Sequence, residues 1–121
     1  MDVLQGVDIA DSYVLGWTLE SACLCFELDI SLWPDHPAYV AHDAGEVACY
    51  RRAQLIFDNV RHIEGLLAQS EVAVLDQDSD PNYGTIDYLA SAGRGRFLLS
   101  GEFGDVEFAA DPPRLEFMGE R

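Results

Sequence analysis

The longest regular pattern in the chain has a period of two. Leu24, Phe26, Leu28, Ile30 and Leu32 are apolar, and Cys25, Glu27, Asp29, Ser31 and Trp33 fall between them. Alternation sustained this long predicts a half-buried antiparallel strand, with Leu, Phe and Ile inward and the acids facing water. Pro34 ends it, because proline cannot donate to a strand ladder. Ahead of it, the aromatic and β-branched run from Tyr13 to Leu19 predicts another strand. Residues 2–11 are short, mixed and acidic, and read as a helical turn or a docked arm.

Further along, residues 34–45 carry two prolines and a closing glycine and predict a connecting loop. A second long β segment runs from Glu46 to Phe57, followed by a turn at Asp58-Asn59 and a further run from Val60 to Leu67. Together these predict a hairpin over 46–67. Glu71 to Leu75 reads as a short strand, 76–87 as a loop by composition, and Tyr88 to Ala92 as a short strand or helical turn. Gly93-Arg94-Gly95 is a turn. Strands at 96–100, 106–109 and 115–117 complete the chain. The expected class is mainly β, with a β-rich α+β arrangement left open. The expected form is a single antiparallel sheet, or a small sandwich or barrel-like domain built from hairpins, with 1–121 as one domain.

Composition narrows the function. The chain has 121 residues, seven Arg, no Lys and 22 Asp plus Glu, for a net charge of −15 with 49% hydrophobic residues. That apolar share supports a core and argues against disorder. The charge argues against nucleic-acid phosphate and against an anionic membrane surface, both of which attract Lys and Arg. Absence of Lys removes Schiff-base chemistry and a phosphate-binding Walker lysine. No apolar stretch is long enough to span a membrane as a helix, and the N-terminus does not read as a secretory signal. Three cysteines, an odd number, fit a reducing cytoplasm better than a disulfide framework. Cys23 and Cys25 share a strand face at ~7 Å, poor geometry for bridging each other.

The acidic run offers the most specific chemistry. Asp76, Asp78 and Asp80 have the 1-3-5 spacing of a calcium loop, with Asn82 at position 7 and Asp87 at position 12. Hard divalent cations take several oxygen ligands from one turn-prone segment. Pro81 stands where an EF-hand needs glycine, and the closing ligand is Asp rather than Glu. A true EF-hand is therefore excluded, and what stays open is a calcium-type site of another kind or a solvated acidic loop. The segment Val72 to Asp78 resembles the first motif of aspartyl phosphotransferases, but no Lys and no βαβ pattern follow it.

Arg51, Arg52 and Arg61 fall on the expected hairpin, and the alternatives are an anion-binding group or pairing with neighbouring carboxylates. His36, His42 and His62 read as surface or capping residues. With no Gly-x-Ser-x-Gly elbow and no paired carboxylate, no catalytic residue is assigned and no enzyme is expected. Trp17, Trp33, Tyr13, Tyr39 and Tyr50 read as core and core-edge packing, with an interface as the alternative.

Ser12 to Trp17, Ser31 to Pro34, Cys49 to Arg52, Leu55 to Val60 and Gly101 to Val106 resemble small β-rich bacterial proteins of the kind grouped with the immunity proteins of toxin systems. The resemblance spans roughly residues 12–110 and implies a small cytoplasmic non-enzyme. The leading expectation is thus a protein-binding or structural module acting on a basic protein partner or as a homodimer. The alternatives are a calcium-binding module through 76–87 and a small-anion pocket at Arg51, Arg52 and Arg61. No cofactor other than Ca2+ is implied.

Overall fold

The computed structural model describes residues 4–37, 39, 49–77 and 80–118, with the backbone alone at 49, 75–77 and 80. Ten strands run in chain order: β1 (Val7–Glu20), β2 (Cys23–Leu32), β3 (Cys49–Phe57), β4 (Arg61–Glu64), β5 (Leu75–Gln77), β6 (Asp80–Asn82), β7 (Ile86–Ser91), β8 (Arg96–Gly101), β9 (Gly104–Ala109) and β10 (Arg114–Phe117). Among the described residues there is no α-helix; a single 3₁₀ turn, Gln69–Glu71, precedes β5. The protein is mainly β, built from two four-stranded antiparallel sheets ordered β1-β2-β3-β10 and β4-β9-β8-β7, with β5 and β6 forming a small ribbon.

The period-two run is strand β2, at the centre of the first sheet. Leu24, Phe26, Leu28 and Ile30 are fully buried, and Ala53, Leu55 and Phe57 of β3 continue the same inward face. The second sheet answers with Phe97, Leu99, Val106 and Phe108. Phe57 meets Phe97 and Phe108 at ring distances of 5.3 and 4.9 Å. Phe103, in the β8–β9 turn, meets Phe26 at 4.8 Å and Trp17 at 5.9 Å. One end of β8 and β9 therefore lies against β3 and the other against β1 and β2, so the second sheet's strands run across the first sheet's.

The sheets join along one side. Val14 N–H donates to Gly84 O, and Tyr83 N–H to Val14 O, both at 2.8 Å, next to the Tyr13–Thr85 bridge. On the other side, no ladder links β4 to β10 among the described residues, so the barrel-like alternative stops short of closure. β4 can nonetheless lie very close to the β8–β9 turn because both contact points are glycine. A Cβ on Gly104 (φ +120°) would sit 2.1 Å from Gly65 O, and one on Gly65 would sit 1.9 Å from Asp105 O.

Several expectations need correction. The arm at 2–11 is strand from Val7 onward, paired Val7–Leu32 and Asp8–Ser31. Past Asp8 it bulges: four residues, 9–12, face Ile30 alone before pairing resumes at Tyr13–Asp29. Ser12 staples the bulge, its buried Oγ donating to Asp8 O at 2.8 Å and accepting Ser31 N–H at 3.0 Å. The 46–67 hairpin does not form. β3 has β2 on one edge and β10 on the other, which leaves no edge for β4. Instead Asn59 (φ +55°) turns the chain across to the second sheet, and Val60 N–H donates to Ala22 O at 2.9 Å. Residues 86–91 are strand, without a helical turn.

Candidate functional site

The outer face of the second sheet concentrates exposed acid around an exposed aromatic. Because Leu99 and Phe97 point into the core, the residues between and beside them, Arg96, Leu98 and Ser100, face outward. The register then builds two outward rows across β7, β8 and β9: Tyr88, Ser100 and Asp105 in one, Ala90, Leu98 and Glu107 in the other. Tyr88 is 48% exposed. Asp105 and Glu107 are exposed in these rows, as are Asp87, next to Tyr88 on β7, and Glu102, in the β8–β9 turn. Ser100 Oγ donates to Asp105 Oδ1 at 2.5 Å, which holds that carboxylate in its row. A further row sets Arg61 and Arg96 on either side of Ala109; Arg96 is engaged by Glu107 at 2.7 Å, and Arg61 is exposed. The face is therefore a half-apolar strip, Tyr88, Ala90 and Leu98, bordered by negative charge.

At the ends of β7 and β8 this face adjoins an apolar groove of about 400 Å³, lined by Leu89, Ala90, Ser91, Phe97, Pro112 and Pro113. The groove exists because Pro112 and Pro113 carry the chain from β9 to β10 without pairing to either sheet.

The acidic run at 76–87 is not a continuous loop. β5 and β6 pair, with Asp76 opposite Pro81 and Gln77 opposite Asp80, and β7 has begun by Ile86. An extended ladder of this kind does not curl around an ion as a calcium loop does. Asn82 is buried, and its Oδ1 accepts Gly84 N–H at 2.8 Å, shaping the turn that joins β1. Asp87 is exposed on β7. Asp78 lies outside the described residues, as do the side chains of Asp76 and Asp80. Among the described residues, no group of three or more His, Cys, Asp or Glu is placed to hold a metal ion.

The three arginines are not brought together. Arg51 and Arg52 are consecutive on β3 and so point to opposite faces. Arg51 pairs with Ile30 in the inward row and sets its guanidinium over the Phe117 ring at 5.5 Å. Arg52 faces outward, 3.7 Å from Glu27. Arg61 lies on β4, in the other sheet, and is exposed. Sequence adjacency placed them on one hairpin, and the crossover at Asn59 separates them.

The candidate aromatic, histidine and cysteine side chains are placed apart from the outward rows of β7, β8 and β9. Trp17 is core, donating its indole N–H to Leu67 O at 3.0 Å, while Trp33 is 51% exposed. Tyr39 packs partly buried against the core. Tyr13 and Tyr50 meet on the first sheet's outer face, and Tyr50 donates to Asp11 Oδ2 at 2.9 Å. Burial, then the bond to Asp11 and its charge, pushes the Tyr50 phenol well above its ordinary value. His36 packs edge-on to Phe117, His62 is exposed, and His42 lies outside the described residues. Cys23 and Cys25 are free thiols. Burial followed by the Asp58 charge raises the first, and burial followed by Cys23 raises the second, which works against a thiolate nucleophile. Comparison of the chain with family models, curated proteins and solved structures finds no match. No helix of the described residues is long and apolar enough to cross a membrane.

Proposed function

We propose that the protein is a non-enzymatic binding module that captures a basic protein through its second sheet. The observation that carries this reading is the outer face itself. Asp105 and Glu107 lie in its outward rows beside the exposed Tyr88, Asp87 adjoins Tyr88 on β7, Glu102 is exposed in the β8–β9 turn, and Arg96 is taken up by Glu107. The net charge of −15 extends the same field over the molecule. A field of one sign raises the on-rate of an oppositely charged partner by about 10–10³-fold, and an aromatic anchor then holds the docked state. The immunity-like reading is the special case in which the basic partner is a toxin.

The immobilised protein is exposed to lysate at low salt and eluted at about 1 M salt, where the screening length is ~3 Å. A basic protein is expected in the eluate. Once purified, its association rate should fall with ionic strength and fall further with Asp87→Asn plus Glu102→Gln. Tyr88→Ala should mainly speed dissociation. Binding that is indifferent to salt and to the two carboxylates, or no basic protein captured at all, would sink the proposal.

A further inference from the structure

The terminal strands of the two sheets differ in what they offer a partner's backbone. On β1, the outer edge is taken by residues 83–85 and by Gln69, whose Oε1 accepts Trp17 N–H at 2.8 Å. β4 is interrupted by His62 at φ +55° and by a register shift between Arg61 and Glu64. β10 is four residues long, carries Arg114 and Glu116, and follows two prolines. Short, charged and irregular edges of this kind resist strand addition.

β7 is different. Ala92 N–H donates to Arg96 O at 2.8 Å, and the register from there is regular through Tyr88–Ser100. Ladder bonds alternate along an antiparallel strand, so Ala92, Ala90 and Tyr88 turn their backbone groups to β8. Leu89 and Ser91 turn theirs outward. Among the described residues, no backbone group outside the ladder bonds to either. Leu89 and Ser91 lie on the inner side of the sheet and, with Ala90, line the apolar groove, whereas Tyr88 lies on the outer side.

We infer that the outer edge of β7 is the docking edge, and that its occupant is an extended segment of the basic partner added as a further strand of the second sheet. This rests on the binding-module reading and names its mode. Main-chain bonds to Leu89 and Ser91 supply the pairing. Side chains on the occupant's inner side enter the groove beside Leu89. Those on its outer side lie beside Tyr88 and Ala90, where the adjoining Asp87 and the net charge of −15 favour arginine or lysine. A second copy of the chain fits poorly, because it would bring its own acids and −15 charge to the same edge.

The test uses the full chain and a short capped peptide alternating arginine and valine. A second peptide of the same sequence is N-methylated at alternate amides on its pairing edge, and a third carries glutamate for arginine. Binding is followed by fluorescence anisotropy, and amide exchange is followed at Leu89 and Ser91. The first peptide is expected to bind and to slow exchange at those two amides. N-methylation should weaken it by about tenfold or more, since it removes backbone bonds and leaves charge intact. The glutamate peptide should not bind. Equal binding of the methylated and unmethylated peptides overturns strand addition while leaving charge-driven capture standing. Failure of both at low salt overturns the two together. A dimer by sedimentation with Leu89 and Ser91 already protected also overturns the inference, because the occupant is then a second copy.

Discussion

Ser12→Ala tests the physical account of the first sheet at its least regular point. The β1 bulge sets four residues, 9–12, against Ile30, and Ser12 Oγ reaches back to accept the N–H of Ser31, the residue opposite Asp8, at 3.0 Å. The same hydroxyl donates to Asp8 O at 2.8 Å, and both serines are buried, at 0% and 4% exposure. Alanine removes both bonds without opening a large cavity. Each of the two lost hydroxyl bonds is worth about 0.5–1.5 kcal/mol. A loss of about 1–3 kcal/mol is therefore expected, a large share of the roughly 5–15 kcal/mol that holds a domain of this kind together. Urea titration followed by tryptophan fluorescence would show it as a lower midpoint at unchanged m-value, with Tm lower by ~10 °C. Amide exchange at Ser31 should accelerate more than exchange at Phe26, on the same strand. A loss below about 0.5 kcal/mol, or an unchanged Ser31 exchange rate, would show that the hydroxyl is not the staple.

Three further outcomes follow from the same structure. Ala22→Gly should stabilise the protein by about 0.5–1 kcal/mol in a thermal melt, because Ala22 sits at φ +61° in the β1–β2 turn and glycine removes most of that steric cost. Phe103→Ala should cost about 3–5 kcal/mol in denaturant unfolding, since the ring is fully buried against Phe26 and Trp17 at the point where the second sheet's turn meets the first. Stability should decline in alkali. Cys23, Cys25 and Tyr50 all hold their protons more tightly when folded, so their contribution is complete below the ordinary values of 9.0 and 10.0 and is lost as pH rises beyond them. Tyr50→Phe should flatten part of that decline in melts across an alkaline pH series, and an unchanged slope would reject the assignment.

Local pattern was enough to place most strands. The alternation from Leu24 to Leu32 is visible because side chains on a strand change face at every residue, so burial of one face writes itself into the sequence. The same logic located β3, β8, β9 and β10 within a few residues. It failed at 7–12, where the bulge breaks the period, and at 76–87, where Asp, Ser, Pro and Asn compose a loop by propensity but the ladder to 80–82 and the bonds from Val14 make it a ribbon. The two-residue turn at Ser21-Ala22 carries none of the usual Asn or Gly, so the β1–β2 hairpin had no turn signal.

The candidate site was harder to foresee because its residues are scattered. Tyr88, Leu98, Asp105 and Glu107 become neighbours only through strand register, and in the sequence Asp87 stands out by its spacing from Asp76. The arginines show the reverse case: close in the chain, they are divided between two faces and two sheets.

By itself, then, the sequence determined a β-rich chain with a buried apolar face and a large negative charge, since periodicity and charge are properties of residue order and content. Which strands pair, which edges stay open and where the acids gather were decided by tertiary structure. Hydrogen-bonding partners far apart in the chain choose among edges that look alike locally. That choice closed β3 on both sides, sent β4 across to the second sheet and left Leu89 and Ser91, on the outer edge of β7, without a further backbone partner among the described residues.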